Sequence, residues 1–291
     1  RHETTPRAVP PPAPTASAPA PPSGPALRFV VAPTVKPEVM RRELGPFLGW
    51  LGRAVDRPVE LIIADSYQHT AELVTSGEGH FGLFPPLLFV TTFAEQPRLQ
   101  PLVVRLFDGS RASDGYLLVR DDAELSKAAD LKGRAICHVD RTSTTGFLLP
   151  RIWLRKAGLD PDEDVEIVVS GNHLAAMRDL SKGKCDAATV YSGAYLAARK
   201  EGIAVGTLRL LAITGRVPQD TLAASPDLPR ETAERLRQAL LRFEPKRDID
   251  AGRVGDVLGI SGFAAFDPAE FDTIREAAEQ EGMIASGDAG P

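Results

Sequence analysis

From Leu27 onward, apolar residues recur along the chain in two alternating rhythms. Short apolar runs at 27–32, 59–64, 80–84 and 102–106 have the length and composition of buried strands. Between them, apolar residues fall at helical spacing: Leu44, Phe47, Leu48 and Leu51 within 37–55, then 68–74, which stops at Ser76-Gly77. Pro85-Pro86 opens a further helix. Strand–helix alternation with short connections predicts a mainly parallel sheet covered on both faces. The rhythm restarts with a strand at 116–119, a short helix at 125–131 and a strand at 135–139. It continues with a helix ending at Gly158, a strand at 165–169, a helix at 173–180, a strand at 186–190, a helix at 194–200 and a strand at 208–213. The remainder reads mostly as helix, over 231–243, 253–258 and 268–281. Two α/β units with a late return of the chain predict two lobes and a cleft between them, where small ligands bind. The expected division is lobe 1 over 26–113, lobe 2 over 114–213, and a return to lobe 1 over 214–291. Asp114-Gly115-Tyr116 is the expected crossing and hinge.

Residues 1–25 break the pattern. They are rich in Pro, Ala and Ser and hold almost no large apolar residue, so they read as an extended, disordered tether. Such a tether would space the folded part from a membrane anchor or another domain upstream of Arg1; the bland alternative is a tail with no spacing role. The sequence opens on Arg1 with no signal peptide, so a targeting segment is expected to have been removed or to lie outside it. With 43% hydrophobic and 25% charged residues in 291, the rest has ordinary globular composition. The net charge of −5 and the lack of a Lys/Arg-rich run argue against nucleic acid as a partner. No apolar stretch approaches the roughly 20 residues that span a bilayer. Cys137 and Cys185 each lie in or beside an apolar run and read as two small buried hydrophobes. A disulfide between them would require neighbouring strands with aligned Cβ vectors. No C-x-x-C motif and no His-rich or Cys/His metal set appears, so neither cofactor nor metal is expected.

The densest chemistry lies at Arg141-Thr142-Ser143-Thr144-Thr145-Gly146, where an expected strand turns into an expected helix. The first N–H groups of a helix lack intrahelical partners, and the macrodipole makes that end positive. Four consecutive hydroxyls at such a turn suit an oxyanion such as phosphate; a single hydroxyl would suffice for a helix cap. Pro150 is compatible if the helix begins near 144–146.

The stretch Thr142-Ser143-Thr144-Thr145-Gly146-Phe147-Leu148-Leu149-Pro150 resembles the Ser-Thr-Ser-Gly-x-x-x-Pro loop of the phosphonate/phosphite/phosphate-binding proteins of ABC transporters, which are type II periplasmic binding proteins. Four further segments resemble that family in order: Ala64-Asp65-Ser66-Tyr67, Gly171-Asn172-His173, Asp186-Ala187-Ala188-Thr189 and Val217-Pro218-Gln219-Asp220. The resemblance covers about 27–282. It implies a two-lobed α/β fold, each lobe a mixed, mainly parallel sheet with helices on both faces. It also implies an extracytoplasmic, membrane-tethered protein that hands a small oxyanion to a permease. The ligand set it implies is Thr142, Ser143, Thr144, Thr145 and Gly146 with His173 from lobe 2, facing Tyr67 and Asp220 from lobe 1, and Tyr191 lining the pocket. A protonated His173 would bind an oxyanion better, so affinity is expected to rise at lower pH. Closure of the lobes on the ligand is the expected mechanism.

Departures from the family pattern bear on the ligand. Phe84-Pro85-Pro86 stands where a Tyr-Gly-Asn segment is common, and Gly193 aligns with a carboxylate that holds the ammonium of aminoalkyl phosphonates. Without that carboxylate such a ligand would carry an unpaired cation into the cleft, so it is expected to bind poorly. Other functions weighed are a ligand-sensing receptor ectodomain with the same fold and a degenerate homologue that no longer binds. An enzyme using Ser143 and His173 is disfavoured because no G-x-S-x-G elbow is present.

Overall fold

The computed structural model describes residues 23–255 and 258–285. It contains two mixed sheets flanked by helices. The first lobe opens with β1 (Leu27–Val31), α1 (Pro37–Val55), β2 (Val59–Ile63), α2 (Tyr67–Thr75), β3 (Phe81–Phe84), α3 (Pro86–Glu95) and β4 (Gln100–Phe107). The second lobe holds β5 (Ala112–Arg120), β6 (Ala135–His138), a π-helical turn (Thr144–Leu148) running into α4 (Leu149–Lys156), β7 (Glu166–Val169), α5 (His173–Ser181), β8 (Ala187–Tyr191), α6 (Ala194–Lys200) and β9 (Leu208–Pro218). The chain then returns through β10 (Thr221–Ala224), α7 (Arg230–Leu241), α8 (Pro245–Asp248), β11 (Ile260–Ala265) and α9 (Asp272–Gln280).

The first sheet has the order β11-β4-β10-β3-β1-β2 and the second β7-β6-β8-β5-β9. In each, the strand–helix units pair in parallel, β2-β1-β3 in one and β7-β6-β8 in the other, while the crossing and returning strands pair antiparallel. The near-continuous apolar runs reflect burial on both faces. Leu27, Phe29 and Val31 of β1 join the core under α1 and α7, whereas Val30 lies on the opposite face with α2 and α3. On α1 the stripe Met40, Leu44, Phe47, Leu48, Leu51 and Val55 is buried, the spacing that held it to a helix in the sequence.

Several expectations change. The second sheet takes in Ala112 to Pro218, wider at both ends than 114–213, and Gly115 lies inside β5 instead of at a crossing. The outward crossing is a tight turn at Phe107–Ser110, with positive φ at Asp108 (46°) and Gly109 (79°), as a type I′ turn requires. The return crossing is Gln219-Asp220, tied to the first where the Gln219 N–H donates to the Arg111 carbonyl at 2.8 Å. The return segment is not mostly helical: β10 and β11 insert into the first sheet. Val254 bridges to Ile260 where a helix over 253–258 was expected, and residues 256–257 lie outside the described residues. The short helix expected at 125–131 is a 3-10 turn at Ala128–Leu131. The tether expected at 1–25 falls outside the described residues except for Ser23-Gly24-Pro25, where the Arg57 Nε–H donates to the Pro25 carbonyl at 2.7 Å.

Cys137 and Cys185 form a disulfide, contrary to the reading as two buried thiols. The reason is tertiary: β6 and β8 are parallel neighbours, and Cys185 sits just ahead of β8. A third link joins the lobes. α9 packs on α3 of the first lobe, and Glu281 just beyond it, its side chain 3% exposed, pairs with Arg151 (3.0 Å) and Arg155 (2.8 Å) of α4. No helix among the described residues is long and apolar enough to cross a membrane.

Candidate functional site

A cavity of about 70 Å³ lies between the lobes. Its walls include Thr34, Tyr67, Pro85, Pro86, Arg105 and Asp220 from the first lobe, and Ser143, Thr144, Thr145, His173 and Tyr191 from the second. Four helix starts converge on it. Tyr67 is the first residue of α2, which Ser66 caps by accepting from the His69 N–H at 3.0 Å. Pro85 and Pro86 precede and open α3. Ser143 caps the π turn ahead of α4, and His173 opens α5, capped by Asn172. The positive ends of these elements favour an anion between them.

The hydroxyl loop is held from behind. The Gly146 carbonyl accepts from Thr189 Oγ1 at 2.7 Å and from His138 Nδ1 at 2.9 Å. His138 is buried, and desolvation lowers its pKa to about 4, so the ring is neutral and Nδ1 carries the hydrogen. Only glycine fits at 146, because a Cβ there would stand 2.5 Å from Val139. Ser143 Oγ accepts from the Gly146 N–H at 3.1 Å, and Thr144 Oγ1 accepts from the Leu87 N–H of α3 at 2.8 Å. Each oxygen thus takes an amide hydrogen, which leaves its own hydroxyl hydrogen to donate elsewhere. The Thr145 hydroxyl, also in the cavity wall, makes no hydrogen bond to a described residue. The bond from Leu87 to Thr144 crosses from one lobe to the other.

His173 Nδ1 accepts from the Tyr191 N–H at 3.4 Å, which puts the hydrogen of the neutral ring on Nε2. Burial, then the nearby Arg105 charge, lowers its pKa to about 3. His173 is therefore neutral in this structure, which does not favour the expected rise of affinity at lower pH. Tyr67 is 5% exposed; burial first, then Asp220 and Asp140, raise its pKa, so it is a neutral phenol. Burial likewise pushes Tyr191 up to about 12.

A family model described as ABC transporter, phosphonate, periplasmic substrate-binding protein matches residues 29–271. The chain belongs to this family. Among curated proteins, the phosphate-import protein PhnD of Mycolicibacterium smegmatis is 24% identical over 171 residues, 55% of this chain and 53% of that protein. The match thus spans about half the length of that relative. Among solved structures, PhnD1 of Prochlorococcus marinus in complex with methylphosphonate superposes with a TM-score of 0.80 at 19% identity, covering 89% of this chain and 99% of that one. The aliphatic sulphonate-binding protein SsuA of Escherichia coli has a TM-score of 0.60 at 15% identity, covering 91% of this chain and 95% of that one. At such identities the structural likeness establishes the two-lobed periplasmic binding protein fold alone.

Of the residues that the family likeness singles out, the cavity brings together Tyr67, Ser143, Thr144, Thr145, His173, Tyr191 and Asp220. Thr142 and Gly146 are not among its lining residues. The Thr142 N–H and hydroxyl both donate to Asp140 Oδ1, at 2.8 and 2.7 Å, and Thr142 lines a separate open groove beside α2 and α3. The Gly146 N–H donates to Ser143 within the loop, and its carbonyl is engaged by Thr189, His138 and the Val139 N–H.

Two residues were missed in the sequence. Arg105 of β4 is 5% exposed and lines the cavity. Its N–H donates to the Asp220 carbonyl at 3.0 Å, and its Nε lies 3.2 Å from Asp220 Oδ2. Nη1 donates to the Leu258 carbonyl. Its signal in the sequence was an arginine inside the apolar run Leu102-Val103-Val104-Arg105-Leu106, where a charge needs a partner. Thr34, just after β1, presents an Oγ1 that is buried and unpartnered in the cavity wall.

Proposed function

We propose that this protein is an extracytoplasmic solute-binding component that captures a small tetrahedral oxyanion, namely phosphate, phosphite or a short alkyl phosphonate, for an ABC transporter permease. One observation carries the reading: the hydroxyls of Ser143 and Thr144 have their oxygens occupied by amides, so their hydrogens are left to serve an acceptor in the cavity. Thr145, Thr34 and the neutral His173 add further donors, and Asp220 is the single carboxylate among the described lining residues. A site rich in donors and poor in acceptors suits an oxyanion. A cavity of about 70 Å³ holds a few water-sized atoms, the scale of a tetrahedral anion with a short substituent.

In this mechanism the anion docks first on the second lobe, at Ser143–Thr145 and His173. The first lobe then brings Tyr67, Thr34 and Arg105, and the Leu87–Thr144 bond forms as the lobes meet. The closed form is favoured because these contacts exist only when both lobes touch the ligand. The Cys137–Cys185 disulfide supports an oxidising, extracytoplasmic setting. The proline-rich segment ahead of Ser23 would serve as a tether to the membrane.

The test is a thermal-shift and calorimetric panel of phosphate, phosphite, methylphosphonate and sulfate. Saturable stabilisation by at least one phosphorus oxyanion is expected. If no tetrahedral anion raises the melting temperature, the proposal fails while the family assignment stands.

A further inference from the structure

The charged pair at the return crossing gives the cleft a selectivity that the hydroxyl loop alone does not have. Arg105 and Asp220 face each other across the β4–β10 crossing, held by both a backbone bond of 3.0 Å and a side-chain approach of 3.2 Å. Their side chains are 6% and 19% exposed, so the carboxylate keeps more surface than the guanidinium. Arg105 Nε makes no well-aligned hydrogen bond despite its nearness to Asp220, so its orientation toward the carboxylate is electrostatic. The Arg105 guanidinium also lies 5.8 Å from the centre of the Phe107 ring. The space in which a side chain at 193 would project is closed: a Cβ there would stand 2.5 Å from Tyr191 and 2.6 Å from Phe107. Among the described lining residues Asp220 is the one acidic group, and the buried Arg105 lies against it.

Resting on the reading of the cleft as an oxyanion site, we infer that Arg105 determines specificity by silencing Asp220, so that the cleft accepts phosphonates with neutral substituents and rejects those bearing an ammonium. An ammonium entering beside Asp220 meets the guanidinium at the same carboxylate, and like charges in a poorly solvated site repel strongly. An alkyl substituent places no second charge there. The oxyanion itself gains from Arg105 as a permanent cation, the charge that neutral His173 does not supply. Tyr67, His173 and Tyr191 line the cavity with the pair and are neutral near pH 7, with Asp140 acting on Tyr67 and Arg253 on Tyr191 from further out.

The experiment measures binding of methylphosphonate and 2-aminoethylphosphonate by calorimetry to the wild type, Arg105→Met and Asp220→Asn, with circular dichroism as a check of folding. In Arg105→Met the charge is gone and Asp220 is uncovered. Methylphosphonate is expected to weaken by ~10-fold or more and 2-aminoethylphosphonate to tighten by ~10-fold or more, the scale of a charge-assisted contact. In Asp220→Asn the cation remains and its counter-charge is lost, so methylphosphonate is expected to tighten several-fold and the amine to weaken further. A folded Arg105→Met in which both ligands shift in the same direction overturns the inference. If Arg105→Met does not fold, Asp220→Asn decides: loss of methylphosphonate binding, or a gain for the amine, overturns it. A wild type that binds neither phosphonate nor phosphate removes the oxyanion reading and this inference together. A wild type that binds methylphosphonate but shows no exchange of preference in Arg105→Met removes the inference alone.

Discussion

Thr144→Val is the substitution that tests the cleft most directly. Valine matches threonine in shape, and the site is 2% exposed, so packing is preserved while the hydroxyl is lost. Two effects follow. The hydroxyl hydrogen no longer donates to the anion, a loss of about 1.5–3 kcal/mol for a hydrogen bond to a charged acceptor. The Leu87 N–H also loses its acceptor at 2.8 Å. Pro85 and Pro86 carry no N–H, so this is the first backbone donor of α3. With the lobes apart, water satisfies it; with the lobes together it is buried without a partner, which costs about 1–3 kcal/mol. Because closure and binding are linked, the two losses add in the ligand's Kd. The expected sum is about 2.5–6 kcal/mol, a weakening of ~10²-fold or more. Thr144→Ser keeps the hydroxyl and is expected to stay within about 1 kcal/mol of the wild type. Isothermal titration with methylphosphonate or phosphate measures the affinity. Small-angle scattering with and without ligand measures the closure, and Thr144→Val is expected to compact less at saturation than Thr144→Ser. Binding by Thr144→Val within threefold of the wild type would refute both the donor role and the interlobe bond.

Three further outcomes follow from the same structure. His138 and His173 are held at about 4 and about 3, below the usual 6.5, so the unfolded chain binds protons that the native one does not. Stability is therefore full above about pH 6.5 and falls as the pH drops, each histidine removing up to ~2 kcal/mol by pH 5; a urea midpoint that stays level between pH 7.5 and 5 would contradict this. The disulfide closes a loop with a sequence separation of 48, for which chain entropy gives about 4 kcal/mol. Cys137→Ala/Cys185→Ala is expected to melt several degrees lower, and an unchanged melting temperature would show that the bond does not restrain the fold. Gly193→Ala puts a methyl within 2.6 Å of Tyr191 and Phe107, an overpacking cost of about 1–3 kcal/mol; Phe107→Leu in the same chain is expected to restore part of the lost melting temperature, and no rescue would locate the strain elsewhere.

Local pattern and tertiary adjacency explain what the sequence did and did not disclose. α1 was legible end to end because its apolar stripe, from Met40 to Val55, repeats at helical spacing within a helix of 19 residues. β10 was not, because Thr221-Leu222-Ala223-Ala224 is four residues long and acquires strand character only between β3 and β4. The disulfide required knowing that β6 lies beside β8, a fact of sheet order that spacing does not carry. The hydroxyl run announced a loop with unusual donor content, but not which oxygens turn inward. Asp140 takes Thr142 out of the cleft, while Ser143 and Thr144 are polarised by amides from Gly146 and from the opposite lobe. His173 was read as a charge because its type suggests one; burial beside Arg105 makes it neutral.

The two lobes divide the work of recognition unequally. On the second lobe, the disulfide ahead of β8 and the Gly146 carbonyl, which accepts from Thr189, His138 and the Val139 N–H, fix the loop before any ligand arrives. In the proposed reading this row of hydroxyl donors recognises the oxyanion end, which phosphate, phosphonates and sulfonates share, and so it cannot choose among them by itself. Choice has to come from groups that meet the fourth substituent. Among the described lining residues, Arg105 and Asp220 of the first lobe, with Tyr191 opposite, are the candidates for that role in the proposed reading. If discrimination is exerted as the lobes meet, as proposed, substitutions at Arg105 are expected to change which ligand closes the protein, and substitutions at Ser143 or Thr144 whether any ligand does.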